Sequence, residues 1–315
     1  MYIKHLKYNM YTVDPYIFTH KSYMKGRWVG RKLIDMLKDE FMLYSKEYYL
    51  QAITAGKITI NGKIVEPDYR LKDPDILKHT VLREEPYVGD ISLIQLLYIN
   101  NFEITETPSD LMIIYKPSNI AMHPGGAFHK TSLVKIIEYK YNIKANPLHR
   151  LDRLTSGILF AAVDAKKHNH LILDGKLQKQ YYCLVKGTID WDEHIVDAPI
   201  AIYSRKRSLY TINESGKQSQ TRFVNVSCKN NQTLLKAYPL TGRTHQIRLH
   251  CVQLGHPIVN DPLYKNGLPS DDYDYSRPSD ITKNCDLYLH AHSYTYDGKT
   301  ITSPVLPEWV SMMLD

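Results

Sequence analysis

Cysteines and long apolar segments are scarce in this sequence, and each scarcity excludes a class of protein. Only four cysteines occur in 315 residues. They lie far apart without a Cys-x-x-Cys pair, so neither a disulfide framework nor a zinc site is indicated. No apolar run approaches the roughly 20 residues of a transmembrane helix, and the opening residues lack the hydrophobic segment of a secretory signal. We therefore expect a cytoplasmic protein, with the nucleus and the mitochondrion as alternatives, that needs no membrane and no obligate protein partner.

Glycine and proline show no excess, at 15 and 16 residues, which excludes collagen-like and long disordered chains. Apolar residues make up 43% of the chain and charged residues 23%, so the protein can bury a core. A length of 315 residues predicts one large domain with a small appendage. In the larger part strand signals outnumber helix signals, which predicts the α+β class with a largely antiparallel sheet.

Positive charge is concentrated in one stretch of the chain. The whole sequence carries a formal net charge of +7, whereas residues 201–250 contain nine Lys and Arg residues and one acidic residue, Glu214. Such a concentration suits contact with phosphates, because their neutralisation releases condensed counterions. The predicted contacts here are Arg205, Lys206 and Arg207. A solvated basic surface without a ligand is the alternative.

The first hundred residues change pattern twice. Residues 1–30 mix aromatic and basic side chains without periodicity, which predicts an extended arm. Two helices follow, of which Gly56 ends the second, and then a hairpin turn at Asn61-Gly62 and a further strand. The predicted division is an arm at 1–30, a compact α+β module at 31–88, a connector at 89–107 and a large domain at 108–315.

The module at 31–88 resembles the S4-like RNA-binding module in its stretch GKITINGKIVEPDYRLKDPD at 56–75. The resemblance implies that this part of the chain contacts RNA. The alternative is a small packing domain without any RNA contact.

One segment, HRLDRLTSGILF at 149–160, places a carboxylate between two arginines. Nearby cations favour the ionised form of Asp152, which lies between Arg150 and Arg153. On these residues alone, Asp152 is either a structural partner of arginine or a nucleophile.

Four further segments accompany that motif. They are YKPSNIAMHPGG at 115–126, KQYYCLVKG at 179–187, LTGRTHQIRLHCVQLGHPIVND at 240–261 and LYLHA at 287–291. In order and spacing, the five segments resemble the signature blocks of the RluA-type pseudouridine synthases, over about residues 108–310. The resemblance implies the pseudouridine synthase fold and the isomerisation of uridine to pseudouridine in RNA, without metal or cofactor.

The resemblance also implies roles for individual residues. Asp152 is the catalytic carboxylate, Tyr181 stacks on the uracil, and Leu289 forms an apolar wall. Arg243 is the predicted ionic partner of Asp152, while Arg248 is the less favoured partner and counts among the RNA contacts. Arg150 fills the gap left by the target nucleotide, which must leave its stack before a carboxylate can reach its glycosidic bond.

The segment PYIFTHKSYMKGRWVGRKLIDMLKDEF at 15–41 resembles the N-terminal region of the eukaryotic branch that modifies uridine 32 in the tRNA anticodon loop. It implies a tRNA substrate, with Arg27, Trp28 and Arg31 as contacts. A ribosomal RNA synthase of the same family is the alternative.

Two other classes of function compete with this interpretation. One is an RNA-binding protein that keeps the fold without catalysis. The other is a glycosidase, which needs a second carboxylate, and the four accompanying segments offer only Asp261, at the end of the third.

Overall fold

The computed structural model describes residues 2–5, 10–41, 44–204, 208–269 and 286–315. The chain forms two compact units. We call residues 13–85 the N-terminal unit, and residues 2–12 together with 86–315 the large unit. The chain starts with two short strands, β1 (Tyr2–His5) and β2 (Met10–Val13), which pair with each other.

The N-terminal unit packs two helices on one face of a three-stranded sheet. Leu33 and Leu37 of the first helix are buried against Ile53 of the second and Ile58 of the sheet. The Ser45 side chain accepts a hydrogen bond from the backbone N–H of Tyr48 and so caps the second helix. The elements are β3 (Tyr16–Tyr23), α1 (Leu33–Glu40), α2 (Lys46–Thr54), β4 (Ile58–Ile60) and β5 (Ile76–Arg83), with the strand order β3-β5-β4.

Two expectations about this unit need correction. The predicted extended arm contains β3, which pairs along all eight residues with β5, so the boundary at residue 31 does not separate two structural units. The Asn61-Gly62 turn is present, with positive φ at both residues, but only a single bridge, from Ile60 to Lys63, follows it. The ladder partner of β4 is β5, because the apolar side chains of β4 and β5 share the core under the helices.

The large unit is built on an eleven-stranded sheet among its described residues. The path is β12-β15-β16-β11-β17-β10-β8-β6-β7, with β18 on β17 and β9 on β10. Only the β10–β17 pair is parallel among these described strands. The predicted α+β class with a largely antiparallel sheet is confirmed.

The elements of the large unit after residue 86 are as follows. The strands are β6 (Gln95–Asn100), β7 (Glu103–Thr105), β8 (Leu111–Lys116), β9 (Asn146–Pro147), β10 (Ser156–Ala162), β11 (Gln178–Lys186), β12 (Glu193–Asp197), β13 (Ile200–Ser204), β14 (Leu209–Ile212), β15 (Gln220–Lys229), β16 (Gln232–Pro239), β17 (Leu289–Tyr296) and β18 (Lys299–Thr302). The helices are α3 (Leu133–Tyr141), α4 (Ala165–His168), α5 (His170–Leu173), α6 (Gln246–Gln253) and α7 (Glu308–Leu314).

The predicted connector at 89–107 is part of this sheet, since it contains β6 and β7. The segment before β11 forms only two short helices, α4 and α5, because the chain enters β11 already at Gln178. Most of the polar segment 265–284, which is rich in Asp, Ser and Pro, lies outside the described residues. No helix in the described ranges is long and apolar enough to span a membrane.

Candidate active site

Asp152 lies in the loop between β9 and β10. Its neighbours Leu151 and Leu154 are 3% and 7% exposed and anchor the loop in the core of the large unit. Buried Lys116, the last residue of β8, donates a hydrogen bond from Nζ to the carbonyl oxygen of Arg153 at 3.1 Å. The carboxylate therefore has a defined position although it belongs to no helix or strand.

His149 fastens the start of the same loop. Its Nε2 accepts a hydrogen bond from the backbone N–H of Phe160 at 3.2 Å, so this nitrogen carries no proton. Burial lowers the pKa of His149 to about 3. The ring is therefore neutral at physiological pH and acts as a structural link between the loop and β10.

Arg248 of α6 is the ionic partner of Asp152. Its Nη1 lies 3.2 Å from Asp152 Oδ2, and its side chain is only 3% exposed. Another edge of the guanidinium forms two hydrogen bonds of 2.7 Å with Asp261, in which Nε donates to Oδ2 and Nη2 donates to Oδ1. One buried arginine thus holds two carboxylates, and the bidentate pair with Asp261 fixes the direction in which Arg248 points at Asp152.

Arg243, the predicted ionic partner of Asp152, is in a different place. Its side chain is exposed, and its Nε donates a hydrogen bond to the carbonyl oxygen of Gln218 at 3.0 Å. The prediction is wrong because Arg243 lies in the turn before α6, whereas Arg248 lies on the buried side of the helix. Arg243 does line the cavity in front of Asp152.

The electrostatic surroundings keep Asp152 ionised. Burial by itself would raise its pKa, but His245 and Arg248 outweigh burial, and the pKa lies below the ordinary value. Burial lowers the pKa of His245 to about 4, so this imidazole is neutral near pH 7 and becomes charged only at the acidic pH at which Asp152 itself would titrate. Arg248 therefore supplies the permanent positive charge beside Asp152.

His245 directs a ring nitrogen toward Asp152. Its backbone is left-handed, with φ 58°, and its Nε2 lies 3.7 Å from Asp152 Oδ2. On the other side of the ring, Nδ1 is 2.7 Å from the hydroxyl of Tyr264, which accepts a hydrogen bond from the backbone N–H of Tyr210. Because that hydroxyl still has its own proton to donate to Nδ1, the arrangement favours the tautomer with a proton on Nε2, facing Asp152.

A cavity of about 490 Å³ opens in front of Asp152, within the range of about 300–1,000 Å³ typical of ligand sites. Tyr181 of β11 and Leu289 of β17 line it, 8% and 4% exposed. Exposed Arg150 also lines it. Tyr182, the next residue along β11, packs on the opposite side of the sheet with Val310 of α7, as the alternation of side chains along a strand requires.

Burial raises the pKa of the Tyr181 hydroxyl to about 12. The phenol is therefore protonated at neutral pH and can offer a flat ring and a hydroxyl group to a ligand. The site as a whole combines an ionised carboxylate, a permanent cation and an apolar wall. Among the described residues, no three His, Cys, Asp or Glu side chains are grouped as a metal site requires.

The remaining predicted contacts differ in their surroundings. Arg27 pairs with Glu40 at 2.5 Å, and Arg31 pairs with Asp39 at 2.5 Å. Trp28 is 1% exposed in the core of the N-terminal unit, so the expectation that it contacts RNA is wrong for this conformation. Arg205, Lys206 and Arg207 lie outside the described residues.

Sequence reasoning missed three residues of the site. His245 and Tyr264 were given no role, and Asp261 was considered only as a second catalytic carboxylate. Asp261 is 1% exposed and bound to Arg248, so it is a partner of the arginine. The signal for His245 was its position between the two arginines of GRTHQIR, while Tyr264 lies 19 residues further along the chain.

Comparison with known proteins identifies the family. The sequence model of a protein family described as "RNA pseudouridylate synthase" matches residues 110–253. Pseudouridylate synthase RPUSD2 of Mus musculus is 40% identical over 260 residues, which cover 81% of this chain and 45% of that protein. The mitochondrial tRNA pseudouridine(32) synthase of Saccharomyces cerevisiae is 33% identical over 261 residues, covering 81% of this chain and 54% of the yeast protein. The chain belongs to the RluA-type pseudouridine synthases. It spans about half the length of these two curated relatives.

The fold is similar to that of a solved structure, human RNA pseudouridylate synthase domain containing 1. The TM-score is 0.51 at 23% identity, over 72% of this chain and 88% of that one. The predicted family and its fold are therefore confirmed. In this RluA-type chain the matched residues 110–253 include Asp152, Tyr181 and Arg248.

Proposed function

We propose that this protein isomerises uridine to pseudouridine in RNA, with Asp152 as the catalytic carboxylate. The observation that carries the proposal is the ionised Asp152, held 3.2 Å from buried Arg248 and lining a cavity with Tyr181 and Leu289. Membership of the RluA-type family supports it.

The isomerisation breaks the bond between uracil N1 and ribose C1′ and forms a bond between uracil C5 and the same C1′. One proton leaves C5 and one is gained at N1, so neither an oxidant nor a reductant is consumed. Asp152 stabilises or attacks the electron-poor C1′, which requires its ionised form. Arg248 keeps the carboxylate ionised and oriented, and Asp261 keeps Arg248 in place.

Detached uracil must turn in the site without escaping. Tyr181 supplies the flat surface on which the ring stacks, and Leu289 closes the pocket from β17. Because the hydroxyl of Tyr181 stays protonated at neutral pH, its contribution is stacking and hydrogen bonding. We expect Arg150, which is exposed and lines the same cavity, to fill the space left by a flipped nucleotide, whose extrusion costs a few kcal/mol.

We propose tRNA as the substrate and uridine 32 as the target. The printed name of the yeast relative supports this position, as does the resemblance of residues 15–41 to that branch. A ribosomal RNA target is the second candidate. The S4-like nature of the N-terminal unit remains a prediction. A cytoplasmic location also remains a prediction, and the word mitochondrial in the name of the yeast relative favours the mitochondrial alternative.

The test compares the full chain with its Asp152→Asn variant on an unmodified tRNA transcript that carries uridine at position 32. The wild type should form pseudouridine in a single turnover, and the variant should form none while it binds the RNA with similar affinity. Asp192→Asn, at an exposed aspartate of the large unit, is the matched control and should behave as wild type.

The same experiment separates the competing functions. RNA binding by the wild type without any pseudouridine in tRNA or ribosomal RNA would support the inactive RNA-binding protein. Wild-type turnover by Asp152→Asn would exclude Asp152 as the catalyst. The glycosidase has no structural support, because Asp261 is engaged by Arg248 and is not available as a second catalytic carboxylate.

Mapping of pseudouridines in total RNA from cells with and without the gene decides between the two RNA targets. Loss of pseudouridine at position 32 of tRNA would support the proposed target. Loss confined to ribosomal RNA would replace it and leave the proposed chemistry intact.

A further inference from the structure

The sheet of the N-terminal unit has one covered face and one open face. Leu77 of β5, together with Ile58 and Ile60 of β4, belongs to the core formed with α1 and α2. Residues that pair across an antiparallel ladder lie on the same face, and neighbours along a strand alternate. The register therefore assigns nine residues to the open face: Ile17, Thr19, Lys21 and Tyr23 of β3, Leu82, Thr80, Lys78 and Ile76 of β5, and Thr59 of β4.

The open face is exposed and contains large side chains. Ile17 is 70% exposed, Tyr23 65% and Leu82 62%. The Nζ of Lys21 lies 4.7 Å from the ring centroid of Tyr23, which places a cation beside an exposed aromatic ring. Lys21 is directly paired with Lys78 of the neighbouring strand, so two positive charges stand side by side.

Carboxylates are absent from the nine positions of the open face. Like charges on directly paired residues repel each other, and among the described residues neither Lys21 nor Lys78 forms an ion pair. The exposed acids that flank the two strands in the chain, Asp14, Asp73 and Glu84, all lie outside the paired segments Tyr16–Tyr23 and Ile76–Arg83. The lysine pair is therefore a site of uncompensated positive charge.

The helix side of the same unit is different. Its arginines are already engaged, Arg27 with Glu40 and Arg31 with Asp39. Further acidic residues, Asp35 and Glu47, lie in the first turns of α1 and α2. A polyanion would meet partnered arginines and lysines interspersed with carboxylates on the helix side, whereas on the open face it would meet two adjacent lysines with no carboxylate among them.

We propose that the open face of the N-terminal unit binds the RNA substrate at a place other than the target uridine. Lys21 and Lys78 contact backbone phosphates, the hydroxyls of Thr19 and Thr80 lie close enough to share a phosphate, at 2.9 Å from each other, and Tyr23 stacks on an unpaired base. The proposal rests on the proposed function insofar as RNA is the partner. It replaces the helix-side residues Arg27, Trp28 and Arg31 as the main contact of this unit.

The experiment measures binding of the full chain to the unmodified tRNA transcript over a range of salt concentrations. The test variant is Lys21→Ser with Lys78→Ser. The matched control is Lys38→Ser with Lys46→Ser, which removes two exposed lysines from the helix side of the same unit. All four substituted side chains are exposed, so both variants should melt at the wild-type temperature.

We expect the test variant to bind the transcript more weakly and to lose roughly 0.7 to 0.9 per contact from the slope of log affinity against log salt. The control should keep the wild-type affinity and slope. Tyr23→Ala should weaken binding without altering the slope, because stacking releases no counterions. Agreement with all three expectations supports the proposal.

Equal effects of the two lysine pairs, or no effect of Lys21→Ser with Lys78→Ser, would overturn the proposal. A change of sedimentation coefficient in Ile17→Ser with Leu82→Ser, without any change in RNA affinity, would also overturn it, because the face would then be an interface between copies of the chain. Pseudouridine formation is not part of these measurements, so failure of the proposed chemistry leaves the test valid.

Discussion

Arg243 and Arg248 lie five positions apart in one basic stretch, but they belong to regions with opposite surroundings. Arg243 lies in the exposed turn before α6 and donates to a backbone carbonyl. Arg248 lies within α6, is 3% exposed and connects Asp152 to Asp261. A buried charge needs a counter-charge and so becomes a fixed part of the site, whereas a charge in an exposed turn stays available to an arriving ligand. Burial decides which arginine controls the carboxylate.

Among the substitutions considered, removal of the Arg248 side chain should cause the largest loss of stability and activity. Arg248→Ala leaves Asp152 and Asp261 as buried carboxylates without a counter-charge, which costs about 3–5 kcal/mol in other proteins. We expect a loss of that order in the free energy of urea unfolding and no detectable pseudouridine formation. If the free energy of unfolding of the variant stayed within about 1 kcal/mol of the wild-type value, well below that range, the buried region would not depend on this arginine.

Acidic pH should destabilise the protein through its buried histidines. Burial lowers the pKa of His149 to about 3, of His245 to about 4 and of His290 to about 3, against about 6.5 in an unfolded chain. Between pH 6.5 and 4 the unfolded state therefore binds more protons than the folded state. Stability should fall as pH falls through this window, by up to about 1.4 kcal/mol per pH unit for each such histidine.

Urea unfolding at several pH values between 7 and 4.5 measures that slope. Asp152 and Asp261, whose pKa values are held below the ordinary value against the effect of burial, should not contribute to it, because their stabilisation is lost only as pH falls below the unfolded carboxyl pKa. His149→Gln should flatten the slope by the share of one histidine. A stability independent of pH in this window would contradict the neutral, buried state of these rings.

A smaller loss of activity is expected when the hydroxyl group beside His245 is removed. Tyr264→Phe takes away the hydroxyl that lies 2.7 Å from Nδ1, so the proton on Nε2 facing Asp152 is no longer favoured. We expect roughly a tenfold lower single-turnover rate, corresponding to about one hydrogen bond of about 1.4 kcal/mol, with RNA affinity unchanged. A lower affinity at an unchanged rate would place Tyr264 in RNA binding instead of in the positioning of the imidazole.

The smallest effect on stability belongs to the exposed turn. Arg243→Ala should change the free energy of unfolding by no more than about 0.5 kcal/mol, as is usual for surface substitutions. If Arg243 meets a phosphate, the salt slope of RNA binding should fall by about 0.7 to 0.9. Destabilisation as large as that of Arg248→Ala would remove the difference between the two regions.

The N-terminal region shows where sequence patterns were informative and where they were not. Apolar residues spaced four positions apart, such as Leu33 and Leu37, located α1, and Gly56 located the end of α2, because both signals are local. The assignment of residues 16–23 failed, since a strand is stabilised by a partner that lies some sixty residues away in the chain. Half-exposed strands with aromatic and basic residues show no clean alternation when both faces carry large side chains.

The sequence by itself determined the family and singled out Asp152 as the candidate catalytic carboxylate. The chemistry of the reaction demands particular residue types in particular segments, and those segments can be compared without knowledge of the fold. The α+β class followed from the same local patterns of helix and strand, for the reason that backbone propensity and side-chain periodicity act over a few residues.

Only the tertiary structure decided which arginine meets Asp152 and what holds that arginine in place. The left-handed backbone at His245 starts α6, and the phase of the helix then buries Arg248 while Arg243 stays outside. Asp261 and Tyr264 reach the site from a separate segment after α6. Such contacts depend on the packing of distant segments around a buried charge, and no pattern within a single segment specifies them.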